Sequence, residues 1–317
     1  MKPAQTFSRR AVALSLFLLV AAPVCFAQSS LRLPRPSQKA TVMQTVGVTD
    51  VSITYSRPGV KGRKIWGDPP AGTAAGEATL DDARARPKDA VIVPYGRVWR
   101  AGANEATLFK VTDDVLVNGQ PLPAGSYSLH AVPGPAEWTI IFNKDDGQWG
   151  SFSYDAAKDA LRVKTKPETT ADTQEWLSYS IEPEKENAAR VNLRWERLRV
   201  PFTVEVKDVN ALTLAKARAA IAAAKPDDWQ TPLQAANYSL NNKLDLDEAM
   251  RWAEHSIKAK ENYNNLNLKA RILAAQGKTA DAIATGEKAL QVGKAANANA
   301  QAMANFEKTL AEWKAKK

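Results

Sequence analysis

The sequence predicts a mainly β protein that ends in an α-helical module: an antiparallel β-sandwich or jelly-roll-like domain followed by helical hairpins. Three features point to this. Between residues 40 and 206, short stretches alternating apolar and polar residues recur, with Gly, Pro and Asn-Gly turn signals between them. From Ala211 to Lys317 alanine dominates and the apolar period becomes helical. Inside that second region a pattern of small and apolar residues repeats after 33 positions. At 317 residues the chain is long enough for two domains with cores of their own.

Residues 1–27 stand outside both domains. Lys2, Arg9 and Arg10 form a charged start, Ala11 to Ala22 is an apolar run, and Ala27 offers a small residue for cleavage. That order predicts a Sec-type signal peptide cut after Ala27, and a periplasmic or secreted protein whose mature chain starts at Gln28. Lipid attachment at Cys25 would need a small residue before it, where Val24 stands, and the residues after Arg9-Arg10 match a twin-arginine signal poorly. Cleavage removes the single cysteine, so the mature chain must be held together by core burial.

Residues 28–39 are rich in Pro and Ser and read as an extended lead-in to a β domain over 40–206. Thr41–Val46 and Val51–Ser56 alternate as strands around a Gly47–Asp50 turn. Further strands are expected at Thr107–Val111, Val115–Val117, Ser126–Val132, Trp138–Phe142, Ser151–Tyr154, Leu161–Thr165, Trp176–Ile181, Ala189–Trp195 and Val200–Val206. Asn118-Gly119 is the strongest turn signal among them. The run DPPAGTAAGEATLDDARARPK, Asp68 to Lys88, breaks the pattern and predicts a low-complexity loop or disordered insertion over 68–90.

In the helical region Leu240, Ala249, Ala253, Ser256 and Ile257 recur as Leu273, Ala282, Gly286, Ala289 and Leu290. Small residues at these steps let paired helices approach closely. The run LAAQGKTADAIATGEKAL resembles a degenerate tetratricopeptide repeat (TPR), so 211–317 is read as a TPR-like module with Ala296–Lys317 as its capping helix. Two helix pairs are fewer than a free-standing array needs, which predicts that the module leans on the β domain.

The net charge of +9 argues little for nucleic acid. From residue 206 onward 17 Lys and Arg are interspersed with 12 Asp and Glu, a solvated helical face rather than a basic stripe. The two histidines, His130 on an expected strand and His255 on an expected helix, have no ligand spacing, so neither a metal site nor a cofactor is implied. Asp113-Asp114 and Asp145-Asp146-Gly147 read as acidic turns, with an all-oxygen calcium site as the alternative. There is no G-x-S-x-G elbow. A glycosidase-type carboxylate pair would have to use Glu105 with Asp68 or Glu137; the competing reading of Glu105 is a salt bridge to Arg100 or Arg57.

Two stretches concentrate Gly, cations and aromatics: YSRPGVKGRKIW, Tyr55–Trp66, and the strand-like PYGRVWRAGANEATLF, Pro94–Phe109. They hold Arg57, Lys61, Arg63, Lys64, Arg97 and Arg100 beside Tyr55, Trp66, Tyr95 and Trp99. Guanidinium forks suit carboxylate, phosphate or sulfate, and aromatic faces stack on sugar rings. The same residues also read as core-edge material, with turns pinned by hydrogen bonds to backbone carbonyls. Trp138, Trp149 and Trp176 read as core.

The runs QKATVMQTVGVTDVSITYSRPGVKGRKIWG, VPYGRVWRAGANEAT, LPAGSYSL and EWTIIFNKDDGQWGSFSYDAAKDALRVK, in that order, resemble the secreted bacterial family filed as domain of unknown function 2911, over residues 38–206. The resemblance implies that the recurring polar positions are Tyr55, Arg57, Pro58, Lys61, Gly62, Arg63, Trp99, Arg100, Gly102, Asn104, Glu105 and Tyr127. The Asp68–Lys88 run departs from the family pattern. No activity follows from the family.

The expected ligand-binding set is therefore Tyr55, Arg57, Lys61, Arg63, Tyr95, Trp99, Arg100, Asn104, Glu105 and Tyr127. The expected function is non-catalytic binding of a glycan or other anionic envelope component, with protein contacts through the helices. No nucleic acid and no membrane span after signal cleavage are expected. The alternatives are a carbohydrate-active hydrolase or lyase using Glu105 with a nearby Tyr or Arg, and a purely structural envelope protein.

Overall fold

The computed structural model describes residues 33–71, 79–82 and 90–316. The expected signal peptide and its cleavage site lie outside the described residues, as do 72–78 and 83–89 of the expected insertion. In chain order the strands are β1 (Gln38–Val46), β2 (Thr49–Arg57), β3 (Trp66–Gly67), β4 (Val93–Pro94), β5 (Thr107–Val111), β6 (Val115–Val117), β7 (Gln120–Leu122), β8 (Gly125–Val132), β9 (Trp138–Asn143), β10 (Asp159–Thr165), β11 (Glu168–Lys185) and β12 (Ala188–Glu205).

Alternation drives the pairing. In β2, Val51, Ile53 and Tyr55 are buried while Asp50, Ser52 and Thr54 face outward, and β1 pairs with it from Gln38↔Arg57 to Val46↔Thr49. The larger sheet runs β1-β2-β5-β8-β9-β10 and the smaller β11-β12-β6-β7, with antiparallel neighbours throughout. β3 and β4 form a short parallel pair. Both larger sheets feed one apolar core, in which Phe109 and Phe142 of the larger sheet meet Phe202 of the smaller at 6.2 and 5.8 Å between ring centroids. Asn118, at the β6–β7 turn, stitches the sheets together: its Nδ2 donates to Lys164 O (3.1 Å) and its Oδ1 accepts from Thr203 N (2.8 Å).

Trp66, Trp99, Trp138 and Trp195 converge in that core. Trp66 lies 5.1 to 5.7 Å from the other three, edge to face, and Trp99 stacks on Trp195 at 6.1 Å. Each such pair adds about 0.5–1.5 kcal/mol beyond area burial. The cluster joins both dense stretches to β9 and β12.

The fold corrects the sequence reading in several places. Ser151–Tyr154 is a turn, not a strand, and β1 begins inside the expected lead-in, at Gln38. The stretches expected at Ala189–Trp195 and Val200–Val206 are one strand, β12, whose polar Glu196-Arg197 step hides the continuity; Glu196 takes φ 55° and the pairing with β11 shifts register there. Pro94–Phe109 is mostly a loop, tied down by isolated bridges Trp99↔Ala131 and Glu105↔Trp149. The expected insertion contributes to the core: Leu80 is 5% exposed, in the short 3-10 turn Leu80–Asp82.

Six α-helices follow among the described residues: α1 (Val209–Ala223), α2 (Gln230–Asn241), α3 (Leu246–Ala259), α4 (Tyr263–Ala275), α5 (Thr279–Ala295) and α6 (Ala300–Ala315). Asp208, Asp245 and Asn299 cap α1, α3 and α6 with side-chain oxygens, and Asn262 and Asn265 form a capping box on α4. α1 follows β12 directly. Its Val209 and Leu212 pack on the β core, whereas Leu214, Ala217 and Ile221 pack among the helices. The 33-residue repeat falls on buried positions: Ala249, Ala253, Ser256, Ala282 and Ala289 are fully covered. At Gly286 a Cβ would stand 2.8 Å from Leu310 Cδ1, so the smallest residue sets the α5–α6 approach.

Candidate functional site

The first dense stretch leaves β2 and lies alongside β11: Leu177 N donates to Pro58 O (3.0 Å) and Val60 N to Glu175 O (2.9 Å). The second leaves β4, bridges β8 through Trp99 and returns into β5. They meet over a cavity of about 200 Å³ whose walls include Pro58, Arg63, Trp99, Arg100, Gly102 and Trp195, with Leu80 closing one side. A second cavity, about 110 Å³, is lined by Lys39, Thr54, Tyr55, Ser56, Glu105, Ala106 and Leu108.

Most of the cations are engaged within the protein. Arg57 Nε donates to Leu177 O (2.9 Å). Arg63 donates from Nη2 to Gly59 O (2.6 Å) and from Nε to Val60 O (3.2 Å), although its side chain remains exposed. Arg100 donates from Nη1 to Asn104 O (2.9 Å) and from Nη2 to Asp81 Oδ1 (2.7 Å), with 17% of the Arg100 side chain and 6% of the Asp81 side chain exposed. Two donors at the first cavity have no partner among the described residues: Arg100 Nε and the indole Nε1 of Trp195, both buried.

Asp81 is the hinge-pin of the arrangement. Its Oδ2 accepts from Ser151 N and Ser151 Oγ, both at 2.6 Å, while its Oδ1 holds Arg100. Gly150 N donates to Asn104 O (3.1 Å), and Ala106 N to Gln148 O (3.1 Å). The β9–β10 loop is thereby fastened to the second dense stretch. Gly150 takes φ +65°, and a Cβ there would come within 2.9 Å of Asp81 Oδ2 and 3.1 Å of Arg100 Nη1. On either side of this anchored pair, Trp149 is 53% exposed and Phe152 60%.

Of the expected set, Arg63, Trp99 and Arg100 come together at the first cavity, and Tyr55 and Glu105 at the second. Asn104 sits between, its Nδ2 donating to Ser37 O (3.2 Å). Arg57 and Lys61 lie along β11 instead; Lys61 N donates to Glu175 Oε1 (3.0 Å) and its Nζ stands 5.6 Å over Trp176. Tyr95 lines neither cavity and is half-buried against the core. Tyr127 is tied to Pro123 O (2.8 Å), also away from both cavities. Trp138 is core as expected, whereas Trp149 and Trp176 are exposed, at 53% and 38%, although each sits in a bridge that fastens its backbone. Asp81, Ser151 and Trp195 escaped the sequence reading. Asp81 lies in a composition-biased run, and only the adjacent apolar Leu80 hinted that the run returns to the core.

Among the described residues no group of three or more His, Cys, Asp or Glu could hold a metal ion. His130 is fully buried, with Nε2 3.0 Å from Ser128 Oγ. Burial lowers its pKa to about 4; Asp159, Asp81 and Asp145 oppose that shift and Arg100 adds to it. On the helices a cleft of about 320 Å³ is lined by Leu233, Leu268 and Ala302 together with Gln234, Asn237, Tyr263, Asn264, Asn267 and Arg271. No helix among the described residues is long and apolar enough to cross a membrane.

Comparison with known proteins returned no match among curated proteins and none among solved structures. A family model did match, over residues 37–204, more than half of the chain. It spans β1 through all but the last residue of β12 and takes in both dense stretches and the Trp149 loop. The chain belongs to the family described as "Protein of unknown function (DUF2911)".

Proposed function

We propose that this is an exported, non-catalytic binding protein. Its two antiparallel sheets form a sandwich that holds a glycan or other anionic envelope component, and its helices form a TPR-like module for protein contact. One observation carries the reading: among the described residues, the two buried side-chain polar atoms left without a partner on residues lining the 200 Å³ cavity are both donors. Arg100 Nε and Trp195 Nε1 are buried without partners among the described residues, and Arg63 spends only two of its five N–H groups there. Such a lining favours a group rich in acceptors, a carboxylate, phosphate or sulfate on a sugar. The volume lies below the roughly 300–1,000 Å³ of sites that enclose drug-sized ligands, which suits one substituent or chain end. The 320 Å³ cleft, in which Leu233 and Leu268 stand beside amides and Arg271, supports the protein-contact role of the helices.

The hydrolase alternative gains one observation, because Tyr55 lines the same cavity as Glu105. That cavity is small, with room for about four waters at roughly 30 Å³ each. Glu105 is also the sole carboxylate in its lining among the described residues. Binding without turnover is the better-supported reading.

Arg63→Ala tests it. The substitution removes two hydrogen bonds to a surface turn, so melting should shift by no more than ~3 °C, while retention on acidic polysaccharide and on peptidoglycan fragments should fall about tenfold. Equal retention by Arg63→Ala and the unaltered chain would contradict the assignment, as would release of reducing ends from those polymers.

A further inference from the structure

We infer that the 200 Å³ cavity takes an N-acylated amino sugar that also bears a carboxylate, with the acyl carbonyl received by Trp195 and Arg100 and the carboxylate by Arg63. The inference rests on the glycan-binding reading above and names the sugar.

The walls of the cavity run from solvent to core. Arg63 is exposed, Ile92 and Ala103 are half-buried, and Trp99 and Trp195 are only 2% and 1% exposed. Charge follows the same gradient. Among the described residues of the lining, Arg63 and Arg100 are the charged ones. Arg100 is matched on the spot by Asp81, 2.7 Å away and with 6% of its side chain exposed. A ligand anion placed beside Arg100 would have to share that guanidinium with a carboxylate of its own sign. Arg63 is bonded instead to two carbonyls, Gly59 O and Val60 O, which leave its charge unbalanced at the exposed end. An anionic group therefore belongs at Arg63, and a neutral acceptor further in.

The inner donors call for that acceptor. Trp99 and Trp195 stack at 6.1 Å, and Trp66 meets Trp195 edge to face at 5.6 Å. Trp99 spends its Nε1 on Gly102 O (3.1 Å). Trp195 Nε1 and Arg100 Nε are buried without a partner among the described residues. Trp66 and Trp138 hold unpaired indole N–H groups as well, but neither residue lines this cavity. A buried donor left unpaired is costly, and a ligand that supplies the acceptor recovers that cost on binding. The rest of the lining includes Pro58, Leu80, Ile92 and Ala103, all apolar. A carbonyl carrying a methyl group answers both features: its oxygen accepts from N–H groups and its methyl packs on aliphatic side chains. On a sugar that group is an acetamide, and an N-acetylated sugar acid holds it a few bonds from a carboxylate.

Titration calorimetry of the full chain with N-acetylmuramic acid tests this against muramic acid, whose amine is free, and N-acetylglucosamine, which lacks the carboxylate. N-Acetylmuramic acid should bind about tenfold more tightly than either, the effect of one well-made hydrogen bond or ion pair. Arg63→Ala should erase its advantage over N-acetylglucosamine. Trp195→Phe, which keeps a ring against Trp99 and breaks no existing side-chain hydrogen bond, should erase its advantage over muramic acid. If Trp195→Phe fails to fold, the comparison of the three sugars on the unaltered chain still decides. Muramic acid bound as tightly as N-acetylmuramic acid overturns the inference, as does no binding of N-acetylmuramic acid at all. In either case the broader reading stands if acidic polysaccharide is still retained in an Arg63-dependent way, and falls with the inference if it is not. Tighter binding of N-acetyl-D-alanine than of N-acetylmuramic acid would put a peptide chain end in place of the sugar and overturn the inference too.

Discussion

The two dense stretches and the β9–β10 loop invert each other. Tyr55–Trp66 and Pro94–Phe109 concentrate cations and aromatics, yet the fold consumes most of them. Trp66 and Trp99 are core, and Arg57 and Arg100 hand their hydrogen bonds to Leu177 O, Asn104 O and Asp81. The β9–β10 loop looks ordinary in sequence, yet its Trp149 and Phe152 are 53% and 60% exposed. A buried guanidinium must be satisfied by the protein around it, so a cluster of arginines beside turns marks a frame as readily as a ligand site.

If Arg100 belongs to the frame, its loss should destabilise the chain more than any other substitution proposed for the site. Arg100→Ala strips the 2.7 Å partner from Asp81, a carboxylate whose side chain is 6% exposed. Breaking a partly buried pair of this kind costs roughly 2–3 kcal/mol after allowance for solvent at its open edge, or about 5–10 °C of melting temperature. Melting within 2 °C of the unaltered chain would return Arg100 to the ligand side of the comparison.

A slightly smaller effect belongs to His130, which lies beneath the same loop, its ring 5.1 Å from Tyr154. Its folded pKa of about 4, set mainly by burial, lies below the ~6.5 of an unfolded histidine. Its contribution is therefore whole above pH ~6.5 and is lost as pH falls towards 4, because the unfolded chain takes up a proton that the fold refuses. Melting measured between pH 7.5 and 4.5 should lose roughly 2 kcal/mol from this group, and His130→Asn should flatten that slope. Equal slopes in the two proteins would show that the acid sensitivity lies elsewhere.

Much of the frame was legible in the sequence, because local rules decide it. Val51-Ser52-Ile53-Thr54-Tyr55 alternates as a half-buried strand must, and Asn118-Gly119 makes its turn. The small residues of the 33-residue repeat are small because helices close over them. What was not legible depends on partners distant in sequence. Ser151 reads as part of a strand until Asp81, 70 residues earlier, captures its N–H and hydroxyl. Trp149 and Trp138 are the same residue type 11 positions apart, and only tertiary packing covers one and not the other. The convergence of Arg63, Trp99 and Arg100 was expected from composition, but Trp195 joins them from β12, outside either stretch.

The most direct test of the clamped tip is amide hydrogen exchange at Gly150 and Ser151, whose N–H groups donate to Asn104 O and Asp81 Oδ2. In the unaltered chain both should exchange at least about a hundredfold more slowly than an unstructured loop, despite lying between two exposed rings. Arg100→Ala should release them while the strands around Ile53 and Leu129 stay protected. Fast exchange at Gly150 and Ser151 in the unaltered chain, or protection that survives Arg100→Ala, would contradict a loop held in place by Asp81 and Arg100.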